Sequence, residues 1–336
     1  MGIAPVVLFL AGLRLLDSFK LVARRDVLGS IGFGMGTAAA AFVVNTLATR
    51  LLPISPDVLR HWIAPLLEEC LKAAGIVLLV RAARVGFLVD AAIHGFAIGT
   101  GFAVVENVFY AWLLGTFDPA LWIVRGLGTA LLHGSTTAIV GILCRHLLNR
   151  RPGAFARATA PGLAIAFVAH AIYNRLLLDP VLATLLQLVF MPLLLIVVFE
   201  RSERATQQWL GKGFDGDVER LDQILEGEVR ESPIGRYLET LRQHFAPTVL
   251  ADMLCMVRIH LELALRAKGL LIARSAGIEL PPDPAVRANF EELGYLERSV
   301  GAVGRMAIQP LLGGGDRERW QLHQLRQSVA PGNERG

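Results

Sequence analysis

The sequence predicts an all-α protein, a polytopic bundle of about seven transmembrane helices followed by a soluble helical segment. Three observations carry this. The 336 residues are 54% hydrophobic and only 18% charged, where soluble domains carry roughly a quarter charged residues. Mean hydropathy is +0.50. Charge is also unevenly placed: residues 1–200 hold 15 Lys/Arg and 10 Asp/Glu, and residues 201–336 hold 18 and 19. The first part is too poor in charge to solvate itself in water; the second has the balance of a soluble segment. These figures exclude a disordered chain, a collagen-like chain and a small disulfide scaffold.

A bilayer-spanning helix needs about 20 mostly apolar residues. Such runs fall near 3–21, 28–52, 59–80, 87–114, 120–144, 160–178 and 180–199. The first is the weakest, because Arg14, Asp17 and Lys20 crowd its end. It lacks a basic residue ahead of its apolar stretch, so it reads as an uncleaved span rather than a signal peptide. Asp179-Pro180 alone separates the last two runs, which suits a tight hairpin. Basic residues follow spans one, three, five and seven: Lys20, Arg24 and Arg25; Arg81 and Arg84; Arg145, Arg150, Arg151 and Arg157; Arg201 and Arg204. The alternate loops hold fewer. The positive-inside rule makes the first set cytoplasmic, with the N-terminus outside and the C-terminal segment in the cytoplasm of a cell-membrane protein.

The expected division is a membrane domain over 1–204 and a cytoplasmic helical domain over 205–336 with a disordered tail from 330. Residues 211–217 (GKGFDGD) read as a linker. From 217 to about 276 the pattern is helical. Leu250, Leu254, Val257, Leu261 and Leu265 form one apolar stripe, and Asp252, Arg258, His260 and Glu262 forbid another span. ELPPDP (279–284) breaks the pattern, a helix follows at 285–299, and GGGD (313–316) precedes a short polar helix. Cys70, Cys144 and Cys255 are far apart and form no CxxC pair, against a disulfide framework or a cysteine zinc site. The pI near 9.2 comes from Lys/Arg at the ends of apolar runs. With no basic stripe interleaved with aromatics, no nucleic-acid partner is expected. The expected partners are the lipid bilayer and a membrane-protein substrate.

The informative residues are polar ones inside spans, where an ionised side chain costs roughly 2.5–3.5 kcal/mol on insertion scales. The third span carries Glu68, Glu69 and Lys72. The lysine lies i+4 and i+3 from the two glutamates, so all three share a face. It offsets one carboxylate and leaves the other free to exchange a proton, as a general base for water requires. The fourth span carries Glu106 and Asn107, with no local partner for the glutamate; its glycines Gly95, Gly99 and Gly101 read as packing residues. His133 and Thr137 on the fifth span, and His170 and Asn174 on the sixth, are i,i+4 pairs. At similar depths, these groups can converge on one hydrated cavity. Arg125 enters the fifth span near the outer face, to snorkel or to meet a carboxylate.

Two imidazoles and two or three carboxylates permit two chemistries, both of which cleave an amide. One is a zinc site with an open position for water. The other is metal-free: a glutamate activates water and His/Asn donors stabilise the oxyanion. No HExxH supports the first.

EECLK (68–72) fits an EExxK pattern, GFAVVEN (101–107) fits FxxxEN with Phe102 as its aromatic, His133 follows, and HAIYN (170–174) fits HxxxN. In order and spacing this resembles the PrsW family of intramembrane proteases, related to the CAAX-protease and bacteriocin-processing superfamily. The resemblance covers about residues 58–178. It implies a multipass protease whose site residues are Glu68, Glu69, Lys72, Phe102, Glu106, Asn107, His133, His170 and Asn174. Glu68 or Glu69 activates water, with Lys72 setting their charge state. Glu106, His133 and His170 bind a metal or orient the water, and Asn174 and Asn107 steady the oxyanion. Members are described as metalloproteases, while related CAAX enzymes look glutamate-dependent, so zinc and metal-free readings both stand. The family's best-known activity is first-site cleavage of a membrane-bound anti-sigma factor. The competing reading from the residues is an ion- or proton-coupled transporter using the Glu/His groups as a relay, although no repeated halves are visible. A third is an inactive scaffold that binds a partner through 205–336.

Overall fold

The computed structural model describes residues 4–115, 124–175, 177, 179–313 and 315–329; the expected disordered tail lies outside them, as do residues 120–123 of the fifth expected span. The described residues are helical, with no strand among them. The chain divides into two compact units, Met1–Glu203 and Arg204–Gly336.

In the first unit the helices are α1 (Ala4–Leu16), α2 (Arg24–Leu51), α3 (Ala64–Arg81), α4 (Leu88–Leu114), α5 (Ala130–Arg150), α6 (Phe155–Asn174) and α7 (Pro180–Leu225). Five of them, α2, α4, α5, α6 and α7, are long and apolar enough to cross a membrane. α3 is apolar too but carries Glu68, Glu69, Lys72 and Arg81. α1 covers 13 described residues of the first expected span, about 20 Å of helix. It stacks Phe9 on Phe96 of α4 at 4.7 Å. The chain is a multi-pass membrane protein. Its apolar side chains Leu28, Phe42, Val43, Val189, Phe190, Leu193 and Ile196 face outward, at 48–66% exposure. Water would not tolerate so large an apolar patch, and lipid suits it.

α4 is the axle of this unit. Most of its length is buried, whereas most of α2 is not, and it reaches both neighbours through glycine. A Cβ on Gly101 would land on the Ile31 carbonyl of α2, one on Gly34 of α2 on the Ile98 carbonyl, and one on Gly99 on the His133 carbonyl of α5. On the α5 side, a Cβ at Gly95 would sit 2.6 Å from the Thr137 oxygen and one at Gly141 2.7 Å from the Ala91 oxygen. The glycines therefore serve close backbone approach, as small residues do between helices in lipid.

Two π-helical turns, Leu59–Ile63 and Val124–Thr129, lead into α3 and α5. Ahead of the first, Ser55 caps the amide of Val58 (3.2 Å), and the chain from Pro56 to Arg81 is helical without a break.

In the second unit, α8 (Pro233–Leu241), α9 (Pro247–Ser275), α10 (Pro284–Ile308) and α11 (Asp316–Ser328) follow the end of α7. α9 is central. Besides Val257 and Leu261 of the expected stripe, it buries Met253, Met256, Ile259, Leu263, Ala267 and Leu271, because it is enclosed on several sides. The expected helix at 285–299 runs on to Ile308, bent at Gly301, whose φ of +72° suits glycine. Residues 211–217 correct the linker reading, since they lie inside α7. Each helical glycine costs about 1 kcal/mol against alanine, but packing outweighs this at Gly213. There the Lys268 side chain lies 3.0 Å from where a Cβ would stand, and its ammonium bonds the Gly213 carbonyl (3.0 Å) and Asp217. His260 is partly buried nearby, and desolvation holds its imidazole below the ordinary histidine range.

Candidate active site

The third expected span places Glu69 and Lys72 three residues apart on α3. Lys72 Nζ bonds Glu69 Oε1 at 2.7 Å, with both side chains fully buried. The same oxygen receives His170 Nδ1 of α6 at 2.8 Å and, more loosely, Thr136 Oγ1 of α5 at 3.5 Å. Three helices thus meet on one carboxylate oxygen, while its buried Oε2 has no hydrogen-bond partner among the described residues. Of the two adjacent glutamates, Lys72 holds Glu69. Glu68 is partly exposed, at 17%, and its Oε2 stands 3.8 Å from His170 Nε2.

Lys72 also approaches His133 Nδ1 at 2.9 Å and lies 4.9 Å from the Phe102 ring centroid. His133 Nε2 meets Glu106 Oε2 at 2.8 Å, and the Phe102 ring lies 4.7 Å from the imidazole. The chemistry of the partners assigns the tautomers. An ammonium only donates, so His133 Nδ1 accepts and its Nε2–H donates to Glu106. A carboxylate only accepts, so His170 Nδ1–H donates to Glu69; in the neutral imidazole this makes Nε2, 3.8 Å from Glu68, the accepting nitrogen.

Glu68, Glu69, Lys72, Glu106, His133 and His170 are therefore brought together in one linked cluster. Thr137, expected beside the His133 ring, bonds the His133 carbonyl instead, at 2.9 Å. Asn174 donates to the Arg60 carbonyl of the first π turn at 3.4 Å. Asn107 is buried about 100° round α4 from Glu106.

The metal-compatible arrangement differs in one member from the expected Glu106, His133 and His170. Among the described residues, ligand atoms of Glu68, His133 and His170 lie within 4.8 Å of one another. Two imidazoles and a carboxylate are the donor types of a catalytic zinc. They fit the ion in kind, with one of the two engaged nitrogens of His133 to be released on binding.

A family model described as PrsW family intramembrane metalloprotease matches residues 23–198, just over half of the chain. This protein belongs to the PrsW family. At the family level it is an intramembrane protease and a peptidase. No curated protein and no solved structure matches the chain. The PrsW match spans every member of the buried cluster and ends ahead of the second unit.

Two contributors to the PrsW-family site escape sequence reasoning in part or whole. Thr136 is hidden because threonine in an apolar helix carries no signal of its own. Arg125 was visible as a charge, but its partner was not: its Nη2 lies 3.3 Å from Glu106 Oε1.

The glycine seam bears directly on the site, since Gly99 lies against the His133 backbone. Gly99→Ala is expected to push α5 from α4, costing about 1–3 kcal/mol and lowering the thermal midpoint in detergent. An unchanged midpoint would refute the close contact.

Proposed function

We propose that this PrsW-family protein is an endopeptidase that cuts a peptide bond of a membrane-bound or membrane-proximal protein, of the single-pass anti-sigma-factor kind, inside the bilayer. The observation carrying the reading is the division of labour between the two glutamates. Glu69 is the buried anchor that fixes Lys72 and His170. Glu68 faces the free Nε2 of His170 across 3.8 Å, too long for a hydrogen bond and short enough for one water to touch both. Glu68 takes the proton of that water as it attacks the scissile carbonyl, with the His170 Nε2 lone pair holding its second hydrogen. Lys72 and His133 supply positive charge and a fixed dipole toward the oxyanion. Asn107 and Asn174 complete that role; the 3.4 Å bond from Asn174 to Arg60 is long and cheap to exchange for substrate. Held by Glu68, His133 and His170, a zinc ion supplies Lewis-acid polarisation and a more acidic water when bound.

In this reading the chain lies in the cell membrane with its N-terminus outside. Residues 1–204 form the protease domain, and residues 205–336 a cytoplasmic helical domain that regulates or recruits. The test is reconstitution in proteoliposomes with a single-pass anti-sigma factor, with products read by mass spectrometry. Glu68→Gln and His170→Ala are each expected to lower kcat by about 100-fold or more. Wild-type turnover in both would sink the assignment. Elemental analysis of the same preparations decides the metal: zinc that is stoichiometric in wild type and lost in both variants supports the metal form, and its absence assigns activation to Glu68 alone.

A further inference from the structure

We infer that Arg125 is a positioning residue of this active site, holding Glu106 and through it the imidazole of His133; the inference rests on the proposed protease reading for its kinetic consequence only. Arg125 Nη2 lies 3.3 Å from Glu106 Oε1, an ion-pair contact without hydrogen-bond geometry. The other oxygen of Glu106 takes His133 Nε2 at 2.8 Å. Glu106 is therefore a bridge, with one oxygen for the guanidinium and one for the imidazole. Tyr110 stands one turn after Glu106 on α4, and the Arg125 guanidinium carbon lies 3.7 Å from its ring centroid. A carboxylate and an aromatic face, one turn apart on one helix, are together a seat for a planar cation. A lysine ammonium could satisfy the charge but not the stacking.

The local backbone explains how Arg125 reaches this seat. Arg125 and His133 are eight positions apart. On an uninterrupted α-helix, at about 100° per residue, eight positions place side chains about 80° apart. The π turn Val124–Thr129 takes up one extra residue. The pair then behaves as if seven apart, which leaves them about 20° from one line. The π turn thus brings Arg125 onto the face that carries His133. The link continues inward: with Nε2–H fixed on Glu106, the Nδ1 lone pair of His133 accepts from Lys72 at 2.9 Å. Arg125, at 13% exposure, is the terminal member of a chain of contacts running through Glu106, His133 and Lys72 to Glu69.

The experiment compares Arg125→Met, Arg125→Lys, Glu106→Gln and the double variant Arg125→Met/Glu106→Gln, in the full-length protein. Arg125→Met is expected to lower kcat by about 10- to 100-fold with KM within about twofold, and Arg125→Lys to recover part of the loss. In the Glu106→Gln background, Arg125→Met is expected to add nothing, since the bridge is already broken. Wild-type kcat in Arg125→Met, or additive losses in the double variant, would overturn the inference. A second readout needs no substrate: the ¹⁵N-histidine spectrum, with His133 assigned by its loss in His133→Asn. The His133 Nε2–H signal should move in both Arg125→Met and Glu106→Gln, and an unmoved signal also overturns the inference. Should wild type cleave nothing while the signal moves, the protease reading falls and the Arg125 linkage stands.

Discussion

Replacing Glu69 by Gln is expected to stop cleavage and to loosen the membrane unit at once. One oxygen of this carboxylate receives Lys72, His170 and Thr136 from three helices. A glutamine can accept from one or two of them through its carbonyl, but it removes the negative charge opposite a fully buried ammonium. Its amide also turns donors toward donors. Leaving one member of a buried ion pair without its partner typically costs about 3–5 kcal/mol. The expected kinetic loss, about 10²- to 10⁴-fold in kcat, arises because His170 is no longer held with its free nitrogen toward Glu68. The two effects separate by experiment. Turnover is measured on monodisperse protein at a temperature well below the variant's own midpoint. Wild-type turnover there would show that Glu69 does not anchor the site.

Lys72→Met has the second-largest expected effect, and the pair of variants is more telling than either alone. Lys72 is buried and donates to both Glu69 and His133. Its loss leaves Glu69 charged without its buried cation, with His170 and Thr136 on one oxygen and the other already lacking a partner, and frees His133 to exchange tautomers. The thermal midpoint should fall as far as for Glu69→Gln. The double variant Glu69→Gln/Lys72→Met, with both charges gone, should be more stable than the sum of the single losses implies, since a neutral pair avoids an orphaned charge. Strict additivity of the midpoint shifts would show that the 2.7 Å contact carries no coupling. Activity should be lost in all three proteins.

Much of this was legible from residue order. The apolar runs announced α2, α4, α5, α6 and α7 because lipid demands long uninterrupted helices. The polar residues inside spans announced the cluster because burying them without use is costly. What stayed hidden depends on geometry finer than a helical wheel. The i+3 and i+4 spacings both suit an ion pair, so only the folded geometry chooses Glu69 over Glu68 for Lys72. The metal-compatible trio holds Glu68 where Glu106 was expected, and Glu106 stands between Arg125 and His133. Arg125 lies off the His133 face until a π turn is allowed for. GKGFDGD looks like a linker on propensity alone, and the Lys268 side chain packed over Gly213 reverses it.

The seam between α4 and α5 has a bearing on how a polypeptide gets in. Where Gly95 and Gly99 lie directly on the main chain of the facing helix, no rotamer can swing aside, and parting the two would open a dry gap along their whole length. They must therefore travel as a single plank. α2 is keyed to that plank by Gly34 and Gly101 and α6 by Gly162 against the Val140 backbone, whereas Gly75 of α3, the helix bearing Glu69, meets only the side chains of Phe33 and Ile98; under the proposed protease function, α3 is the member whose contacts can rearrange to admit a strand.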